Sequence, residues 1–196
     1  MKKVFNSEQS GRSMVEMLGV LAIIGVLSVG GISGYSKAMA KFKLTKAQDQ
    51  LTMLLMNIRT AYATSPSYTG LTPANAVAYN LAPTDMVSGT GDSATLHNAF
   101  GGEVLIKAGG TSNTKFAIVF NGLGKETCAS LASTDWGSDG LVGINISEAA
   151  VDDPTFAPAH DGSSTAAAKA LPVPLSQAFT ECKSGNAVNS ITWVYY

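Results

Sequence analysis

Hydrophobic positions in the first third of the chain follow two different rules. From Met17 to Ser36 no charged side chain occurs, twenty positions in a row. About twenty apolar helical residues cover the ~30 Å hydrocarbon core of a bilayer. Beyond Tyr35 the apolar positions thin to a stripe: Leu44, Ala47, Leu51, Leu54, Leu55, Ile58 and Tyr62. Steps mostly of three and four follow the 3.6-residue helical period. Lys46, Gln48, Asp49, Gln50, Asn57 and Arg59 occupy the other positions. Thr64-Ser65-Pro66 closes the pattern, because proline cannot extend the hydrogen-bond ladder. The pattern predicts one helix from Ser13 to Thr64, apolar all round in its first half and on one side in its second. At 1.5 Å per residue it would reach ~78 Å.

The remainder predicts short elements separated by turns. Thr72-Pro73 reads as an N-cap and first helical position for a short helix through Tyr79. Thr84 and Asp85 start a turn, and Ser88–Ser93 is a loop without a P-loop lysine. Gly102–Lys107 and Lys115–Phe120 predict an antiparallel strand pair. Lys125–Ala132 is a short helix, and Gly140–Ile146 a third strand rich in β-branched residues. A long polar loop, Ser147 to Lys169, leads to a helical turn or two over Pro174–Cys182. Ser190–Tyr196 is a final strand, apolar to its last position and so expected inside the sheet rather than frayed.

With 196 residues there is room for one globular domain beyond the hydrophobic N-terminus. A net charge of −1 with 14% charged residues offers no electrostatic case for nucleic acid. His97 and His160 lie far apart in polar loops, outside any zinc-type spacing. No nucleophile elbow or Cys/His catalytic signature occurs, and Asp152, Asp153 and Asp161 match no calcium loop. These residues point to no enzyme, no cofactor and no metal site.

Cys128 and Cys182 are the two cysteines. Beside an export segment such a pair reads as a disulfide rather than a metal site, two free buried thiols being the other reading. Lys2, Lys3 and Arg12 precede the apolar run and Lys37, Lys41, Lys43 and Lys46 follow it, so the positive-inside rule leaves orientation undecided. A disulfide favours a head outside the cytoplasm and a cytoplasmic N-terminus. Gly30, Gly31 and Gly34 form a small-xxx-small pattern that lets helices approach closely. Glu16 stands at the mouth of the apolar run. A charge costs ~2.5–3.5 kcal/mol at a membrane's centre and less near its edge, so an acid there signals function.

The basic leader ending in Gly11, Glu16 five residues later, and the apolar run together resemble the class III signal of type IV prepilins. The resemblance implies that a prepilin peptidase cuts after Gly11 and methylates the new amino terminus. Here that is Arg12, where family members usually carry Phe, Met or Leu. Asn98-Ala99-Phe100-Gly101-Gly102, the Phe116–Phe120 strand, Gly122-Leu123 leading to the Cys128 helix, and Ile191-Thr192 after Cys182 resemble the head of type IVb pilins. The fold so implied is α+β, a long N-terminal helix packed on an antiparallel sheet. Its segments are a leader (1–11), a membrane and filament-core helix (12–37), an amphipathic half (38–65) and a head (66–196) with a disulfide-bounded region (128–182).

The function so implied is that of the major structural subunit of a type IVb pilus, made at the inner membrane and polymerised into an extracellular filament. Its partners would be copies of itself, the prepilin peptidase, the inner-membrane assembly machinery and, before assembly, the membrane. Glu16 would pair with the α-amino group of Arg12 on a neighbouring subunit. A minor pilin, a type II secretion pseudopilin and a membrane-tethered periplasmic binding module are the alternatives.

Overall fold

The structure, a computed structural model, describes residues 9–137, 139–164, 166, 169–183 and 188–196, without the side chains of residues 9–13 and 92. Residues 1–8 of the expected leader, and the side chain of Arg12 at the expected cut, lie outside the described residues. Helix α1 runs Gln9–Ala61. It stops short of Thr64 because a tight turn takes over, with Ser65 N donating to Tyr62 O at 2.9 Å. The chain divides into two compact units, the first ending at Phe42 and the second spanning Lys43–Tyr196.

In the second unit the amphipathic half of α1 carries one side of the core. Ala47, Leu51, Leu54 and Ile58 are buried in one cluster with Phe116, Ile118, Phe120, Ile191, Trp193 and Tyr195. Fully burying each of the larger aliphatic side chains is worth ~1.5–3 kcal/mol. The expected stripe is therefore the contact face, with Leu44, Leu55 and Tyr62 at its margins.

The partner of that stripe is a six-stranded sheet, every neighbouring pair antiparallel. Its strands are β1 (Val87–Ser88), β2 (Thr95–His97), β3 (Glu103–Gly109), β4 (Lys115–Leu123), β5 (Leu141–Ser147) and β6 (Asn189–Tyr195), in the order β1-β2-β3-β4-β6-β5. The C-terminal strand β6 thus lies between β4 and β5 and is buried at every position. Alternation along a strand sends successive side chains to opposite faces. Phe116, Ile118 and Phe120 of β4 accordingly join the α1 core, while Ala117 and Val119, also buried, face the other way.

What covers that second face is the long polar loop that begins at Ser147. The Asn121 amide holds the Val151 backbone from both sides, accepting from Val151 N at 2.9 Å and donating to Val151 O at 3.1 Å. Ser190 Oγ donates to Ala149 O at 2.7 Å. Phe156 packs where a side chain at Gly109 would stand. The loop is polar by composition yet serves as a lid for the sheet.

The remaining helices are α2 (Pro73–Ala78), α3 (Lys125–Ser133) and α4 (Leu175–Glu181). Thr72 caps α2 as expected, its hydroxyl accepting from Asn75 N at 3.2 Å. Between β3 and β4 close approach of the two backbones requires glycine. A Cβ on Gly102 would stand 1.8 Å from Asn121 O, and Gly122, at φ +72°, faces Gly102 across the same gap. This is where the β4–β6 register shifts, between Phe120 and Leu123, a β-bulge of the kind that positive-φ glycine permits.

Candidate functional site

From Met14 to Tyr35 every large apolar side chain of α1 is exposed, Ile24 the least at 52% and Val26 the most at 76%. Among the described residues, and apart from the helix's own adjacent backbone, no heavy atom lies within 4 Å of where a Cβ would stand on Gly19, Gly25, Gly30, Gly31 or Gly34. These glycines leave clefts along the helix that no described residue fills. Two serine hydroxyls within the run are answered locally. Ser28 Oγ donates to Ile24 O at 2.7 Å and Ser36 Oγ to Ile32 O at 2.9 Å, a bond back to the preceding turn that suits a hydroxyl in an apolar medium. The segment is thus prepared for surroundings other than water.

Glu16 is exposed in this segment and makes no ion pair among the described residues. Arg12 stands one turn ahead of it on α1. A carboxylate next to Val15 and Met17, both largely exposed, would lose hydration once an apolar partner covered them. It would then need a cation, because an isolated buried charge is heavily penalised.

In the second unit, α1 is tied to the connecting segments on both of its flanks. Toward β1 and β2, Gln50 Nε2 donates to Asp85 Oδ2 at 2.8 Å, and Gln50 Oε1 accepts from Ala99 N at 2.9 Å. Asn57 Nδ2 donates to Leu81 O at 2.8 Å. Burial alone would raise the Asp85 carboxyl, but the Gln50 and Lys46 donors and the Lys46 charge at 2.9 Å outweigh it and hold it below the usual range. Toward the α3–β5 connection, Gln48 Nε2 donates to Thr134 Oγ1 at 3.1 Å and Arg59 to Asp139 O at 2.6 Å. The Arg59 guanidinium also lies over the Tyr195 ring, 5.3 Å from its centroid. Burial pushes the Tyr195 hydroxyl well above its ordinary value.

Cys128 of α3 and Cys182, just past α4, are joined in a disulfide 54 residues apart in sequence. Both are buried. His160, expected in a polar loop, is not on the surface. It is fully buried, exchanges backbone bonds with Ile144 at 2.9 and 3.0 Å, and donates from Nε2 to Glu181 Oε2 at 2.8 Å. Its Nδ1 is buried without a hydrogen-bond partner among the described residues. Glu181 precedes Cys182 and also accepts from Gln177 at 2.7 Å, so the histidine pins the lid segment to the disulfide helix.

Gln50 was set among the polar positions, yet it is buried. Its spacing of three from Ala47 and four from Leu54 was the available signal. The burial of His160 had no comparable signal. Among the described residues no group of three or more His, Cys, Asp or Glu could hold a metal ion.

The family described as PilS N terminal matches residues 42–196. The chain is similar over 97% of its length, and 97% of theirs, to the major structural subunits of the bundle-forming pilus from Escherichia coli O111:H- and from Escherichia coli O127:H6, each 26% identical. A crystal structure of the type IVb pilin from Salmonella typhi superposes with a TM-score of 0.52 at 24% identity, covering 78% of this chain and 97% of that one. TcpA, a type IV pilin from the Vibrio cholerae El Tor biotype, superposes at 0.53 with 19% identity, covering 79% and 99%. The two superpositions bear on the fold of the head.

Proposed function

We infer the role of this chain from the premise that it belongs to the PilS N-terminal family: it is a type IVb pilin, a structural subunit and not an enzyme. The role is that of the major subunit of a pilus, a helical homopolymer displayed on the bacterial surface. The observation that carries this reading is the exposure of the apolar half of α1 from Met14 to Tyr35, with a Glu16 that makes no ion pair among the described residues. Such a surface is stable only in lipid or against other copies of the same helix. The precursor waits in the inner membrane, a prepilin peptidase removes residues 1–11, and the new α-amino group of Arg12 becomes available. That group titrates near pH ~8 and is mostly cationic at neutrality. In the low dielectric of a helix bundle it draws the Glu16 carboxylate of a neighbour into register, and the Arg12 guanidinium adds a second cation.

The test is the N-terminus and yield of sheared filaments. The filament protein begins at Arg12, whereas a membrane-tethered module would keep Met1. Glu16→Ala lowers sheared filament per processed pilin by more than ~10-fold, since losing one member of a buried charge pair costs ~2–5 kcal/mol. Processing and disulfide formation are unchanged in that variant. Wild-type yield from Glu16→Ala would remove the carboxylate from the mechanism.

A further inference from the structure

We propose that Lys37, Lys41 and Lys43 form a collar that binds the headgroups of anionic phospholipids where α1 leaves the bilayer. The proposal rests on the reading above that Met17–Ser36 lies in a membrane before assembly. All three lysines are exposed, and none has an acidic partner among the described residues. The next lysine, Lys46, does have one, Asp85 at 2.9 Å. No acid occurs on α1 between Glu16 and Asp49, so no carboxylate of the same helix stands near the three lysines to neutralise them.

Their arrangement around the helix selects the partner. Lys37 and Lys41 lie one turn apart on the same side, and the 3.6-residue period puts Lys43 on the opposite side. A protein groove would be met by a stripe, whereas a headgroup layer surrounds the helix and is met by a ring. Depth agrees with this. Lys37 lies ~30 Å along the helix from Met17, the thickness of the hydrocarbon core. Lys41 and Lys43 lie ~6 and ~9 Å further, within a Debye length of ~10 Å from the charged surface. Tyr35 (68% exposed) stands just ahead of the lysines, as tyrosine does at a membrane–water boundary. Each ammonium offers three donors to phosphate oxygens, and anionic surfaces attract basic segments next to a membrane span.

The experiment places the full chain in nanodiscs of equal parts phosphatidylcholine and phosphatidylglycerol and measures by native mass spectrometry the lipids retained on the released protein. The wild-type chain retains phosphatidylglycerol several-fold in excess over phosphatidylcholine. The triple variant Lys37→Gln/Lys41→Gln/Lys43→Gln returns to the bulk ratio, and Lys183→Gln, on the head, leaves the excess intact. Unchanged enrichment in the triple variant overturns the collar. So does a triple variant that loses filament yield while keeping the lipid excess, which would assign the lysines to contact with another copy. Alkaline extraction run in parallel separates the two readings. A chain washed from the membrane refutes the membrane reading, whereas an inserted chain without lipid enrichment refutes the collar alone.

Discussion

Gln50 keeps its place in an apolar stripe because both ends of its amide are answered, by Ala99 N and by Asp85. A buried amide left unmade costs ~1–3 kcal/mol, so the position specifies as well as stabilises. It also brings Asp85 under two donors, Gln50 and Lys46. Because the Asp85 carboxyl sits lower in the folded chain than in the unfolded one, its contribution is present above pH ~4 and is lost as pH falls through its folded value. With both side chains of the Lys46–Asp85 pair 40% exposed, solvent screening keeps that contribution under ~1 kcal/mol. Asp85→Asn should therefore lower the urea midpoint slightly at neutral pH, and the gap to the wild type should narrow as pH falls below the ordinary carboxylate range. A gap that widened on acidification would reverse the sign and refute the assignment.

The two halves of α1 differ in what they ask of their surroundings. The second half satisfies its apolar face within its own unit, through Ala47, Leu51, Leu54 and Ile58. Truncation there leaves a cavity. Leu54→Ala should cost ~2–5 kcal/mol, read as a lower unfolding midpoint of the purified pilin with near-normal secondary structure. Leu51→Asp should prevent folding, because an unpaired charge would enter the same core. Normal folding of Leu51→Asp would place the stripe somewhere other than under the sheet. The first half has no such internal partner among the described residues, and the same truncation at Leu21 or Val26 should leave the midpoint unchanged and appear in filament yield.

At the scale of the whole molecule, the disulfide closes the segment from α3 to α4 and includes β5, the lid over the second sheet face and His160. Closing a 54-residue separation restrains the unfolded chain by ~4 kcal/mol in the entropic account. Cys182→Ser should lower stability by ~2–5 kcal/mol and reduce pilin abundance. The loss should appear first as faster hydrogen exchange in β5 and the lid, because the sheet centre retains β4 and β6. Uniform acceleration across all strands would mean that the bond supports the entire head and not this segment.

The sequence alone determined what depends on local period and on single chemical facts. It was enough to read a helix whose apolar pattern changes near Tyr35, four strands close to their observed bounds, the Thr72 cap, the Cys128 and Cys182 pair and the resemblance to type IVb pilins. Backbone geometry imposes those periods on any chain, so they are visible without the fold. Only the tertiary structure decided that β6 inserts between β4 and β5, since strands of similar apolar pattern offer no local clue to their neighbours. It alone showed β1 and β2, which are too short to carry a period. It also turned a polar loop into a lid and a histidine in that loop into a buried one. A polar side chain is buried when a partner arrives from a distant part of the chain, as Glu181 does for His160, and no neighbouring residue announces that arrival.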